Sequence, residues 1–181
     1  METEISANPV AVRSRNQIIQ ALFDLMQENS YQEITIKEIA YESKLVRRTF
    51  YGHFSSKDDV IKAHLNDLFA RYKKDLSAFE ELDPYSVGKH FFELMLQNKA
   101  TFMLLRKHNL SIPIDHLENH FQELNETFST GQKQTDLPKE LHSFVTAYFA
   151  GGLLNVLNKW IDKGMTQTPH EMALFFTHMA K

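Results

Sequence analysis

Between Ser43 and Lys57 the chain carries four cations, Lys44, Arg47, Arg48 and Lys57, and no acid. Thr49, Tyr51 and His53 lie among them. Guanidinium groups pair bidentately with guanine or phosphate, and Thr and Tyr hydroxyls donate to phosphate oxygens. Placed on one short helix, these residues have the chemistry of a DNA-groove reader. Arg47, Arg48 and Thr49 are expected near base edges or backbone. Thr35, Tyr51, His53 and Lys57 are expected mainly at phosphates, with Thr35 and Lys57 at helix N-termini, where backbone N–H groups favour anions. Lys44 belongs to the same surface. Phe50 and Phe54 read as core. An adjacent Arg pair alone is usually a solvated face, so the argument depends on the elements that carry it.

Other chemistries find less support. Nine His residues raise the question of a metal. His116 and His120 share a helix face at i, i+4, but two imidazoles need a third ligand, such as Glu123 or His90, to hold zinc. The expectation is no metal and no cofactor. Cys is absent, which excludes disulfides and thiolate sites. No nucleophile elbow, phosphate loop or dinucleotide fingerprint occurs, and no enzyme is expected. A net charge of −3 means that nucleic acid would meet a local patch rather than a polycation. With no long apolar run and no signal-peptide core, a cytoplasmic location away from membranes is expected.

The elements that would position the cationic patch are helices throughout. Thr35 and Glu38 form a capping box, followed by Ile36, Ile39 and Ala40 on an apolar side. A turn falls near Ser43 to Leu45, and a second short helix carries Val46 to Tyr51. Residues 1–13 read as a flexible arm. A helix capped by Ser14 and Gln17 then runs to about Asn29, with Ile18, Ile19, Leu22, Leu25 and Met26 on one side. Ser55 or Ser56 caps a long helix reaching towards Glu80. Asp83-Pro84 starts the next, with a break near Asn98. Residues 114–128 read as helical. Pro138 opens a long helix ended by Gly164, and Thr168, Pro169 and Glu171 start the last. The 138–163 helix has an apolar arc too wide for one buried stripe, and Ala147, Ala150, Gly151 and Gly152 would let another backbone approach.

Tyr31, Thr35-Ile36, Ile39-Ala40, Thr49-Phe50-Tyr51-Gly52-His53-Phe54 and Ser56-Lys57-Asp58 together resemble the helix-turn-helix of the TetR-type family of bacterial transcriptional regulators. The resemblance implies an all-α protein of about nine helices. It divides into a helix-turn-helix unit over residues 14–60 and a regulatory and dimerisation unit over 61–181. It implies a homodimer binding double-stranded DNA, most naturally a repressor of near-palindromic operators released by a small apolar effector. The pocket implied for that effector draws on His90, Phe91, Met95, Phe102, Phe121 and Tyr148. The implied dimer contact draws on Gly151, Leu154, Leu157, Trp160, Phe175 and Met179. The turn departs from the family pattern, with Lys44 where the backbone favours positive φ and Arg48 where the family has Gly. The alternative reading is therefore a co-regulator or sensor of the same fold that acts through a protein partner.

Overall fold

The computed structural model describes residues 8–79, 83–112, 118–119 and 138–179. Among these are eight α-helices and no strand. They are α1 (Pro9–Glu28), α2 (Ile36–Glu42), α3 (Arg47–His53), α4 (Lys57–Leu76), α5 (Pro84–Gln97), α6 (Lys99–Lys107), α7 (His142–Asp162) and α8 (Pro169–Met179). A 3-10 turn, Lys139–Leu141, leads into α7. The all-α class is as expected. The backbone forms two compact units, Met1–Asp67 and Leu68–Lys181. The division falls inside α4, later than residue 60.

In the first unit, α1 begins earlier than its apparent cap at Ser14. Asn8 accepts from the Val10 amide and Pro9 takes the first helical position, where its missing N–H costs nothing. Ser14 is thus a buried residue of the helix interior. Ile18, Leu22 and Met26 are fully buried, as are Ile39 of α2, Phe50 of α3 and Val60 and Leu65 of α4. Arg15 explains why α4 belongs to this unit as far as Asp67. Its guanidinium forks onto the Asp67 carboxylate at 2.6 and 3.1 Å and reaches the Ala63 carbonyl at 3.4 Å.

In the second unit, α5 packs on α8 and α6 packs on α7. Gly88 of α5 lies so close to α8 that a Cβ there would stand 3.2 Å from the Phe176 ring. Phe92 meets Trp160 edge to face, and the indole N–H donates to the Gln167 carbonyl at 3.2 Å. Tyr72 donates to the Val87 carbonyl at 2.9 Å, which ties the end of α4 to α5. Arg106 grips Asp162 through two bonds of 2.7 and 2.8 Å. Asp83 caps α5, Thr168 and Glu171 form the capping box of α8, and Gly164 ends α7 at φ 75°, all where the local residue pattern places them.

Candidate nucleic-acid interface

The reading helix is set by its neighbours' ends. At the start of α2, Glu38 N–H donates to the Thr35 hydroxyl at 3.3 Å, and the Glu38 carboxylate accepts from the Thr35 amide at 2.8 Å. This capping box holds the Glu38 carboxyl below its ordinary range, chiefly through the Thr35 amide. At the other end of α2 the turn is closed by two bonds, Lys44 N–H to Tyr41 carbonyl at 3.0 Å and Leu45 N–H to Ala40 carbonyl at 2.9 Å. That pairing is the Schellman termination, which needs a left-handed residue after the helix end. Lys44 supplies it at φ 58°. The turn thus forms without glycine, at the cost of about 1 kcal/mol or somewhat more of backbone strain.

α3 then presents two faces. Phe50 is fully buried and Phe54 nearly so, both as expected for core. Arg47, Arg48 and Tyr51 are exposed and Thr49 is half-buried. Val46, which opens α3 without any side-chain cap, is 68% exposed. The exposed face of the helix therefore holds two guanidiniums, a phenol and a valine, with Lys44 exposed in the turn beside it.

Three residues expected at phosphates have partners inside the protein. The Lys57 ammonium donates to the carbonyls of Tyr31, Gln32 and Ile34 at 2.5, 3.1 and 2.9 Å. It also lies 4.5 Å from the centre of the Tyr31 ring. All three of its N–H bonds are used, so this side chain braces the turn between α1 and α2. Tyr31 completes the brace by donating to Asp58, and burial, with that bond second, holds its hydroxyl well above the ordinary tyrosine range. The Thr35 amide and hydroxyl both donate to Glu38, so its donors serve the cap. His53 Nε2 lies 2.8 Å from the Ser14 hydroxyl of α1. Helix-terminus position alone suggested phosphate contacts for Thr35 and Lys57; the local cap takes the donors of the first and three carbonyls across the fold those of the second, while His53 has one nitrogen engaged.

In the second unit, two sets of expected residues separate. Leu157 and Trp160 are buried in the unit's own core at 0% and 2% exposure, which removes them from a dimer contact. Phe175 and Met179 are exposed, joined by Leu174 on α8 and by Leu141, Phe144 and Tyr148 at and near the start of α7. Gly151 and Leu154 are half-buried, and a Cβ on Gly151 or Gly152 would meet open space. Sequence periodicity saw one wide arc on α7; the fold spends its Leu157–Trp160 side internally and leaves the Phe144–Tyr148 side uncovered.

The expected effector lining does not converge among the described residues. Phe91 is buried against Phe69, Tyr72 and Phe92, and Met95 is fully buried. His90 turns Nδ1 to the Ser86 carbonyl at 2.8 Å, and its ring makes a T-shaped contact with Phe79. Phe102 borders a small cleft with Arg106, Ser111, Asn158 and Ile161. Tyr148 is 75% exposed and lines no interior wall. Phe121 lies outside the described residues, as do His116 and His120. Among the described residues no cluster of three His or acidic groups could hold a metal, and no helix is long and apolar enough to cross a membrane.

Comparison with known proteins fits this geometry. The family model described as "Bacterial regulatory proteins, tetR family" matches residues 18–64, which hold α2, α3 and most of α1. A model for a "Transcriptional regulator C-terminal region" matches residues 82–181. The chain is 22% identical over 178 residues to the uncharacterized HTH-type transcriptional regulator YxbF of Bacillus subtilis (strain 168), covering 97% of this chain and 46% of that protein. It is 32% identical over 62 residues to DhaS, the HTH-type dhaKLM operon transcriptional activator of Lactococcus lactis subsp. lactis (strain IL1403), covering 34% and 33%. The matches thus span less than half the length of these curated relatives. Among solved structures, a TetR transcriptional regulator from Streptococcus agalactiae 2603V shares the fold with a TM-score of 0.66 at 21% identity, covering 95% of this chain and 96% of the other. The helix-turn-helix unit and the helical unit that follows both match the same kind of protein, and the chain belongs to the TetR family of transcriptional regulators, which are not enzymes.

Proposed function

We propose that the chain acts as a homodimer that inserts α3 into the major groove of a near-palindromic operator and represses transcription from it. The observation that carries the reading is the division of α3, with Phe50 buried and Arg47, Arg48 and Tyr51 exposed on a helix braced from behind. Base readout falls to Arg47, Arg48 and Thr49, and backbone contact to Tyr51, Lys44 and His53. Lys57 and Thr35 act indirectly, by fixing the helices. Dimerisation uses the uncovered apolar side of α7 around Phe144 and Tyr148 together with Leu174, Phe175 and Met179 of α8. Two copies give two reading helices, which is what an inverted repeat requires. Release by a small effector of the second unit is a separate step, and DNA binding does not depend on it.

A formed Schellman turn at Lys44 supports autonomous DNA binding over the partner-dependent alternative. Activation is the second reading for the sign of regulation, because the relative DhaS carries the name of an activator. The test is selection of duplexes from a random pool by the purified chain and by the Arg47→Ala/Arg48→Ala variant. One inverted repeat enriched by the parent alone supports the proposal. No enrichment by a folded dimeric parent refutes it. A reporter downstream of the selected repeat then reads the sign: lower expression with the chain present means repression, higher means activation.

A further inference from the structure

Ser14 is a buried hydroxyl in the interior of α1, a position where serine gains nothing for the helix. Its oxygen has two neighbours, the Ala11 carbonyl at 3.1 Å and His53 Nε2 at 2.8 Å on α3, thirty-nine residues away. The hydroxyl has one proton to give. The Ala11 carbonyl can take it on the lone pair that its backbone ladder bond leaves free. The imidazole nitrogen is the closer acceptor. A neutral imidazole that accepts at Nε2 carries its proton on Nδ1. His53 Nδ1 has no partner among the described residues.

We propose that Ser14 is a positioning residue for DNA binding: by donating to His53 Nε2 it fixes the Nδ1–H tautomer, so that a neutral imidazole at the end of the reading helix offers an N–H to a backbone phosphate. The opposite tautomer would turn a lone pair towards the phosphate and repel it. The device supplies a phosphate donor without adding a charge, and it ties that donor's orientation to α1. It rests on the DNA-binding reading.

Long-range 1H–15N spectra of the 15N-labelled full chain, with His53→Gln to assign the His53 signals, report which nitrogen holds the proton. The expected pattern is Nδ1–H in the parent and in Ser14→Thr, which keeps the hydroxyl, and Nε2–H in Ser14→Ala. Fluorescence anisotropy with a mixed-sequence duplex is the second readout. Ser14→Ala should bind about 2- to 10-fold more weakly, the range for loss of one ordinary hydrogen bond, and Ser14→Thr should recover most of it. The dependence of affinity on salt should stay unchanged in Ser14→Ala, because a neutral donor displaces no counterion. A parent imidazole protonated on Nε2 overturns the inference, and needs no variant that could misfold. So does equal duplex affinity for the parent and a folded Ser14→Ala. A parent that holds the Nδ1–H tautomer but binds no duplex at all overturns the DNA-binding reading instead, and the phosphate role falls with it.

Discussion

Lys57→Met separates bracing from DNA contact at one position. Methionine keeps an unbranched apolar stem and removes the ammonium. The carbonyls of Tyr31, Gln32 and Ile34 then lose their shared donor. Bonds from a charged donor are worth roughly 1.5–3 kcal/mol each when shielded, but Gln32 is exposed and water can serve its carbonyl. The cation above the Tyr31 ring adds about 0.5–1 kcal/mol. Lys57 is only half-buried, so with solvent screening the net loss is about 2–3 kcal/mol rather than the sum. For a unit of this size that lowers the melting temperature on the order of 10 °C. The chain contains one tryptophan, Trp160, buried in the second unit, so its fluorescence follows that unit while helical circular dichroism follows both. The expected result is an earlier dichroism transition with the Trp160 transition unmoved. Duplex binding, measured where the variant is folded, should keep the parent's salt slope. An unmoved melt with a salt slope reduced by about one would refute the bracing argument, since that is what loss of a direct phosphate contact produces.

Lys44→Gly should raise the stability of the first unit by about 1 kcal/mol, because glycine adopts the turn's positive φ without strain; a lower dichroism midpoint would contradict the geometry. Tyr148→Glu combined with Phe175→Glu should convert a dimer to monomers by light scattering while leaving Trp160 fluorescence native, since neither side chain is buried in its own unit. Unchanged mass would place the dimer contact elsewhere. Burial and the Asp58 bond raise the Tyr31 pKa above its unfolded value near 10. The associated stability is therefore full below that pH and is lost as pH climbs above it, where the unfolded chain releases the proton first. Urea unfolding of Tyr31→Phe between pH 8 and 11 should show a flatter alkaline decline than the parent, and equal slopes would refute the assignment. Thr168→Ala should cost about 1 kcal/mol by removing the cap of α8, read as an earlier Trp160 transition.

What was legible in the sequence was what lies within one helical turn. Thr35 with Glu38, Asp83 with Pro84, Thr168 with Glu171 and the glycine at 164 each complete their hydrogen bonds within a few residues, so residue type and spacing suffice. The buried face of α1 followed from the 3.6 period for the same reason. The start of α1 lies in Asn8-Pro9, but the Ser14–Gln17 pair offered a competing cap six residues later. The partners of Lys57 and His53 are another matter. They lie 23 to 39 residues away, and nothing local distinguishes an ammonium at a helix start that meets DNA from one that meets three carbonyls. The α7 arc fails differently. Its width announced two partners, but periodicity carries no label for which side faces the chain's own core, and Leu157 and Trp160 were assigned to the wrong one.

These long-range bonds share a direction. Arg15 fastens α1 to α4, Ser14 fastens α1 to the end of α3, and Lys57 with Tyr31 and Asp58 fastens the α1–α2 turn to the start of α4. Two of them, through Lys57 and His53, engage polar groups that position alone would have offered to a phosphate. The consequence is arithmetic on donors. With Thr35, Lys57 and one nitrogen of His53 spent on bracing, the charged contacts left to the reading helix and its turn are Lys44, Arg47 and Arg48. Three cations per subunit make six in a DNA-binding dimer, which is enough for affinity to fall about a thousandfold between 50 and 200 mM salt where all six neutralise phosphates, and less where Arg47 and Arg48 read bases. A selected operator should therefore lose binding when the bases facing Arg47 and Arg48 are changed, and its affinity should also fall steeply as salt rises; salt-insensitive binding would count against the reading.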